Sequence, residues 1–546
     1  MNHRLKDSCA RLIEALSPQR RKMVELRARW AKPGSKGGWC QSLYFDLVRH
    51  EFSRSCVDDR TWRDLEFPAI FSRLDSTTTP LGSQSLFRKL REYVEEPGEQ
   101  TGQYAVYDEL RSNGLLREEI QLKLAALRGE SNTDIARLIF DDAPKQLKRQ
   151  GLLKLWGLAS LVTLIAVIAW SWPIWIWLAM LGLNVVILWR TYWHVHRDAY
   201  ALASCAQMMK LADGLASMHS RYPSIPQLSQ LAGEATNRAE VRKTLRWFSF
   251  LKSPTIDLVS VLFNGAFLTE LIAFSRASDR FFLVRSRLVP TFEAIGSLDA
   301  AIAIASFLER YPDHCQPDVV DGALLNIRDG HHPLLAHPVA NSICLEQRSA
   351  LITGSNMAGK TTFIKMLGIN IILGRTLGFC LASRATIPRA CVMASILGDQ
   401  SVEQGKSHYF SEIEAIHSFI EEGRRRDLTV FVIDELFNGT NTVERVAAAR
   451  AVLESLCRKA LVLVTTHDVE LQAPLSKHYE LFHFQEEPEL DGFFDYKLRS
   501  GAATERNAIR LLERMGFPAD VIAKAMTYAE QPLNRSTQAA TCPQTV

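Results

Sequence analysis

At 546 residues the chain is too long for one hydrophobic core, since single cores stop growing near about 250 to 300 residues. Its 64 Lys and Arg against 60 Asp and Glu leave a net charge of +4, too slight to argue for nucleic acid by itself. Ten cysteines form no CxxC pair, and Cys380 and Cys457 sit in apolar segments, so they read as reduced core thiols and exclude a zinc cluster or disulfide framework.

Residues 1–55 read as a basic helical arm. Its first 40 residues hold ten Lys or Arg against three acids, including Arg20-Arg-Lys22. Such an arm suits phosphates or anionic lipid, although a solvated charged helix is the commoner explanation. No long apolar stretch stands at the N-terminus, so no cleaved signal is expected. Residues 56–150 read as helices rich in Leu and Arg.

From Leu155 to Trp189 run 35 residues without one Asp, Glu, Lys, Arg or His. A continuous helix of that length would measure about 50 Å, beyond a hydrocarbon core of about 30 Å, and Ser171-Trp-Pro173 breaks it near the middle. Two spans result, roughly 152–170 and 174–189, with Trp156, Trp170, Trp172, Trp189 and Trp193 where an aromatic belt would lie. Lys145, Lys148, Arg149 and Lys154 precede the pair, and Arg190, His194, His196 and Arg197 follow it. The positive-inside rule then keeps both flanks cytoplasmic, which defines residues 151–193 as a transmembrane hairpin in the inner membrane. The alternative is a buried hairpin in a large soluble core.

Residues 194–324 read as long helices interrupted at Tyr222-Pro-Ser-Ile-Pro226 and Lys252-Ser-Pro254. From 325 to 530 strands and helices alternate, which implies a mostly parallel sheet flanked by helices. The tail, 531–546, looks loose.

Within that last segment Gly354, Ser355, Asn356, Met357, Ala358, Gly359, Lys360, Thr361 and Thr362 fit the phosphate-binding pattern GxxxxGK[ST]. It lies between an apolar strand and a helical repeat. The glycines let backbone N–H groups converge on phosphates, Lys360 would reach the β and γ phosphates, and the Thr361 hydroxyl would bind Mg²⁺. Thr429-Val-Phe-Val-Ile-Asp-Glu435 is a buried-type strand ending in two carboxylates, the Walker B arrangement. Asp434 is placed to bind Mg²⁺ through water, and Glu435 to act as general base on the attacking water. A third strand, 460–466, delivers His467 to the same edge, in position to sense the γ phosphate. Together these predict an ATPase using ATP and Mg²⁺.

The same residues resemble the MutS mismatch-repair ATPases. GSNMAGKTT is similar to TGPNMAGKST, with Ser355 for the usual proline and Thr361 for serine. Gly398-Asp-Gln400 and Gln404-Gly-Lys-Ser-His-Tyr-Phe-Ser-Glu412 resemble the GD and GxSTFxxE segments, with His408 and Tyr409 replacing the Thr-Phe pair. Asp434-Glu-Leu-Phe-Asn-Gly-Thr-Asn-Thr442 resembles DELGRGTST, Thr465-Thr-His467 matches the TH segment, and Tyr496 to Gly501, Asn507-Ala508 and Met515 to Pro518 resemble the closing region. Upstream, 59–65 and 74–84 look like the start of the helical core domain, and 294–299 with Tyr311 and Pro317 like the lever at its end. No Phe-x-Glu tripeptide of the mismatch-reading wedge precedes residue 56.

The resemblance implies an α/β P-loop NTPase domain, ABC-like with a mostly parallel sheet. Before it would stand an all-α MutS-core-like lever domain, interrupted by a two-helix transmembrane hairpin where the family carries its DNA clamp. It implies a homodimer through the ATPase domain, with Ser407, Asn441 and Thr442 at the shared ATP interface. DNA is the implied partner, mismatched or otherwise unusual. A membrane-tethered switch acting on a protein or lipid without DNA competes with that reading. An ABC-type transporter subunit is a third, disfavoured because the LSGGQ signature is missing.

Overall fold

The computed structural model describes residues 18–34, 40–51, 56–129, 132–141, 150–251, 257–355, 358–396, 408–425, 428–437, 441–486, 494–502 and 516–530. The helical half opens with α1 (Pro18–Arg29), α2 (Leu43–Val48), α3 (Asp59–Asp64), α4 (Phe67–Leu74), α5 (Pro80–Arg91), α6 (Pro97–Ser112), α7 (Gly114–Leu124) and α8 (Ile135–Phe140). After them come α9 (Gln150–Trp170), α10 (Ile174–Ala216), α11 (Pro226–Gly233), α12 (Ala235–Leu251), α13 (Asp257–Phe267), α14 (Thr269–Val284) and α15 (Val289–Arg310).

Local chemistry sets the ends of these helices. Asp58 caps α3 by accepting from the N–H groups of Arg60 and Thr61, both at 2.9 Å. Thr79 caps α5 through the Gly82 N–H at 3.0 Å, with Pro80 at the first helical position. α5 and α15 cross at a glycine on each: a Cβ on Gly82 would lie 2.3 Å from Asp299 Oδ2, and one on Gly296 would lie 2.0 Å from Ser85 Oγ. Asp299, wholly buried on α15, accepts from the Thr78 and Thr79 N–H groups at 3.0 and 2.8 Å. α15 is thereby fastened to the start of α5.

Among the described residues three stretches are long and apolar enough to cross a membrane, and burial separates them. The one over 269–310 is 78% buried in its most apolar part and belongs to the core, whereas those over 151–170 and 174–191 are 17% and 6% buried. α9 and α10 part at Ser171–Pro173, where Ser171 takes a φ of 54°. Trp156 Nε1 donates to Asn184 Oδ1 at 2.8 Å and Thr163 Oγ1 to Met180 Sδ at 3.0 Å, so the two helices run antiparallel. The boundary expected at 193 is not a break: α10 continues for 43 residues to Ala216, and its inner part buries Leu202, Cys205, Met208 and Leu215.

The strands are β1 (Asp318–Val320), β2 (Leu324–Gly330), β3 (Asn341–Glu346), β4 (Ser349–Thr353), β5 (Arg384–Pro388), β6 (Cys391–Ser395), β7 (Thr429–Asp434), β8 (Ala460–Thr466), β9 (Tyr479–Glu486) and β10 (Phe494–Ser500). β1 starts ahead of the boundary expected at 325. Rather than one mostly parallel sheet there are two, and each is mixed. The smaller has order β1-β5-β2-β3, with only β1 and β5 parallel. The larger has order β10-β9-β4-β8-β7-β6; β9 and β10 are antiparallel and the other neighbours parallel. Short connections such as 487–493 allow antiparallel pairing, whereas the parallel pairs need helical crossovers.

β4, β7 and β8 are buried along their whole length, as strands with both faces covered must be. Alternate residues face different cores. Ile352, Val430, Val432, Leu461 and Leu463 join the large core shared with the helical half, through α16 (Lys360–Leu377). Leu351, Phe431, Ile433, Val462 and Val464 pack in a second core with residues of α17 (His408–Arg425) and α18 (Thr442–Leu456). Beyond these lie α19 (Gln472–Leu475) and α20 (Ala519–Glu530).

The outer edge of β6 is closed by the helical half. Its alternate N–H groups at Val392, Ala394 and Ile396 donate to Tyr93 Oη at 3.0 Å, Thr61 Oγ1 at 2.9 Å and Asp64 Oδ2 at 2.9 Å. Arg60 adds bonds to Ser395 Oγ and, at 3.3 Å, to the Ser411 carbonyl on α17.

Candidate nucleotide-binding site

The carboxyl ends of β4, β7 and β8 converge at one edge, the place where open α/β sheets hold ligands. β4 leads into the glycine loop and α16. Gly354 has a φ of +143° and an added Cβ would stand 2.8 Å from the Phe484 carbonyl oxygen, so only glycine fits there. Gly359, at φ +96°, caps α16 in the left-handed region.

Lys360 is 2% exposed, an unusual place for an ammonium. Its Nζ donates to the carbonyls of Gly354 at 2.7 Å and Ser355 at 3.0 Å, and lies 3.9 Å from Glu435 Oε1. Burial pulls its pKa down, against the opposing pull of Glu435 and Asp434. The Thr361 hydroxyl donates to Asp434 Oδ2 at 2.8 Å, and the Thr465 hydroxyl to Asp434 Oδ1. Glu435 takes a φ of 51° and its N–H donates to the Thr465 carbonyl at 3.2 Å, which turns the carboxylate toward His467 Nε2. His467 Nδ1 is 3.2 Å from the Gly354 carbonyl and 3.4 Å from Lys360 Nζ.

The structure thus brings Gly354, Lys360, Thr361, Asp434, Glu435 and His467 into one constellation, with Thr362 beside it. Asn356, Met357 and Ser407 lie outside the described residues. Asn441 caps α18 by accepting from the Val443 N–H at 3.1 Å, and with Thr442 it stands exposed at the rim.

A hard divalent cation fits this donor set. Thr361 Oγ1 and Asp434 Oδ2 are adjacent oxygens, and Mg²⁺ commonly takes one or two protein oxygens with phosphate and water completing its shell. No cluster of three or more His, Cys, Asp or Glu suited to a metal occurs among the described residues, so no dedicated cage competes.

Several site residues were missed from sequence. A cavity of about 400 Å³ opens beside Gly359, Thr361 and Thr362, walled by Tyr496, Phe484 and Asn341. Asn341 Nδ2 donates to the Tyr496 carbonyl at 2.9 Å and its Oδ1 accepts from the Leu498 N–H at 2.8 Å, fixing Tyr496 at a φ of 54°. His332, on the same wall, is pushed down to about 4 by burial and by Lys365 and Arg73. Arg445 on α18 grips Asp468, the neighbour of His467, through two bonds of 2.9 and 2.7 Å. Buried Glu412 accepts from the Phe437 N–H and pins the turn after β7. The advance signals were the adjacency of Asp468 to His467 and the places of Glu412 and Tyr496 within family-like segments.

Comparison with known proteins agrees with this geometry. Residues 350–532 match the family described as MutS domain V. A "DNA mismatch repair protein MutS" from Natronomonas pharaonis is 26% identical over 326 residues, covering 57% of this chain and 37% of the relative. One from Thermus aquaticus is 29% identical over 263 residues, covering 46% and 32%. One from Sorangium cellulosum is 31% identical over 251 residues, covering 42% and 26%. The chain therefore spans about a third of the length of these curated relatives. The domain V match and the site's geometry are thus carried by the same residues, 350–532.

Proposed function

We propose that the chain is an ATPase whose nucleotide cycle drives a conformational change on mismatched or otherwise unusual DNA, while two helices anchor it in a membrane. The observation that carries the ATPase is the meeting of Lys360, Thr361, Asp434, Glu435 and His467 at the ends of three parallel strands. Lys360 exchanges its loop carbonyls for phosphate oxygens, and backbone N–H groups of the glycine loop complete the cradle. Thr361 and Asp434 would hold Mg²⁺, which would neutralise charge on the phosphate oxygens. Glu435 orients water and takes its proton, and His467 fixes the carboxylate. The cavity between Tyr496 and Asn341 takes the base, with the aromatic ring offering a stacking face.

The exposed rim at Asn441 and Thr442 supports pairing with a second copy across the nucleotide. DNA as the partner rests on the relatives, whose names place them in DNA mismatch repair. The anchor rests on the apolar exposure of α9 and α10. Lys154 and Arg190 bound that pair on one side, and exposed Trp170, Trp172 and Trp175 mark the opposite end. Both flanks are then cytoplasmic, together with the ATPase half.

The test is the ATPase rate of detergent-purified full-length protein with homoduplex, mismatched, branched and no DNA, beside a Glu435→Gln control. We expect stimulation selective for mismatched or branched DNA and a loss of about 10²–10⁴-fold in the control. A control-sensitive rate indifferent to every DNA would move the partner to a protein or lipid, and a rate unaffected by Glu435→Gln would overturn the site.

A further inference from the structure

Next to the two exposed apolar helices lies a third, shorter apolar element. From Leu258 to Thr269 the chain carries no Asp, Glu, Lys, Arg or His, a run of 12 residues. Such a run is too short to cross a bilayer and suits a re-entrant or interfacial segment. It forms α13, ends at Leu268 with a left-handed φ of 54°, and turns back as α14. Leu262 and Phe263 on α13 are 66% and 52% exposed.

The tip of this turn is held by the apolar pair itself. The Ala266 carbonyl, in the last turn of α13 where no intrahelical N–H reaches it, accepts from Asn184 Nδ2 at 2.7 Å and from Ser160 Oγ at 2.7 Å. Asn184 is fully buried, and its Oδ1 accepts from Trp156 Nε1. Gly157 lets the backbone in: a Cβ there would stand 2.7 Å from the Phe267 carbonyl oxygen. Asn264 Oδ1 accepts from the Glu270 N–H at 3.1 Å and caps the returning helix. The Ala266 carbonyl and the Glu270 N–H at the turn are thus met by protein rather than water, as non-helical backbone within hydrocarbon requires.

Depth follows from residue counts. Ser160 lies six residues beyond Lys154, and Asn184 six residues before Arg190. At 1.5 Å per residue both stand about 9 Å inside the basic collar, within one leaflet of a hydrocarbon core about 30 Å thick.

We propose that α13 and the turn at Leu268 form a re-entrant wedge that dips into the cytoplasmic leaflet of a lipid bilayer, latched to the spanning pair by Asn184 and Ser160 and presenting Leu262 and Phe263 to acyl chains. This rests on the membrane reading of α9 and α10. α14 then joins the wedge to the lever α15 through a single turn at Arg285–Leu288.

The photo-crosslinking residue p-benzoylphenylalanine, placed singly at Phe263, Trp175 and Tyr528 of the full-length protein in phosphatidylethanolamine–phosphatidylglycerol vesicles, tests it. Trp175 is the spanning reference and Tyr528, exposed on α20, the aqueous one. We expect phospholipid adducts at 263 and 175 and none at 528. Adducts at 175 but none at 263 would sink the wedge and leave the spans standing; none at either would sink both. In an Asn184→Leu background the adduct at 263 should be lost while that at 175 persists. Persistence at 263 would overturn the latch.

Discussion

At the site, burial works against a charge on both Lys360 and His332, and their partners differ. Lys360 is surrounded by carbonyls and carboxylates that oppose the shift, whereas His332 faces Lys365 and Arg73, which add to it. His332 Nδ1 accepts from the Leu334 N–H at 3.2 Å, which needs an unprotonated ring nitrogen. Its pKa falls from the ordinary 6.5 to about 4 in the folded chain. As pH drops through that window the unfolded chain gains a proton that the folded chain cannot take, so stability is lost, by about 3 kcal/mol at full effect. His332→Gln should flatten the acid limb of a Tm-against-pH curve between those values, and an unchanged limb would refute the assignment. The glycine loop and the two carboxylates were legible in sequence because their backbone demands restrict residue type. His332 and Asn341 were not, and Tyr496 stood out only as part of a family-like segment, since segments far apart in the chain build their wall and nothing local marks the encounter.

Elements were legible where burial imposes a period. The continuous apolar runs of β4, β7 and β8 read as strands with two covered faces, and they are. What no run discloses is strand order, nor that short connections would split the strands between two mixed sheets. Equally hidden was the seam between halves, where α3 and Tyr93 supply acceptors to the alternate N–H groups of edge strand β6. An open edge is a liability, and here side chains rather than another strand close it. Thr61→Val keeps the shape but leaves the Ala394 N–H without its acceptor, so it should cost about 1–3 kcal/mol in urea unfolding. A change within error would mean that water or a shifted neighbour replaces the hydroxyl. Because α3 also reaches Ser411 through Arg60, ATP turnover in the same variant reports how far this seam governs the site.

For the whole molecule, one large core runs from the helical half into the sheet, so α15 and the edge that carries the candidate site are parts of one packed body. The proposed dimer places Thr442, exposed at the rim, against a second copy. In the hydrolysis-slowed Glu435→Gln background, ATP should shift the protein from monomer to dimer by light scattering, and adding Thr442→Lys should abolish that shift. A dimer indifferent to Thr442→Lys would move the interface elsewhere.

The uninterrupted course of α10 has a mechanical corollary. Its 43 residues make a rod of about 65 Å, whose inner end is embedded among core helices and whose outer end is bare. The rod has no proline, so no proline kink interrupts a tilt passed along it from the base. A rotation of about 5° at the embedded end therefore sweeps the far tip through about 6 Å, comparable to one helical turn. Small angular adjustments at the embedded end are in this way magnified into displacement at the distal end.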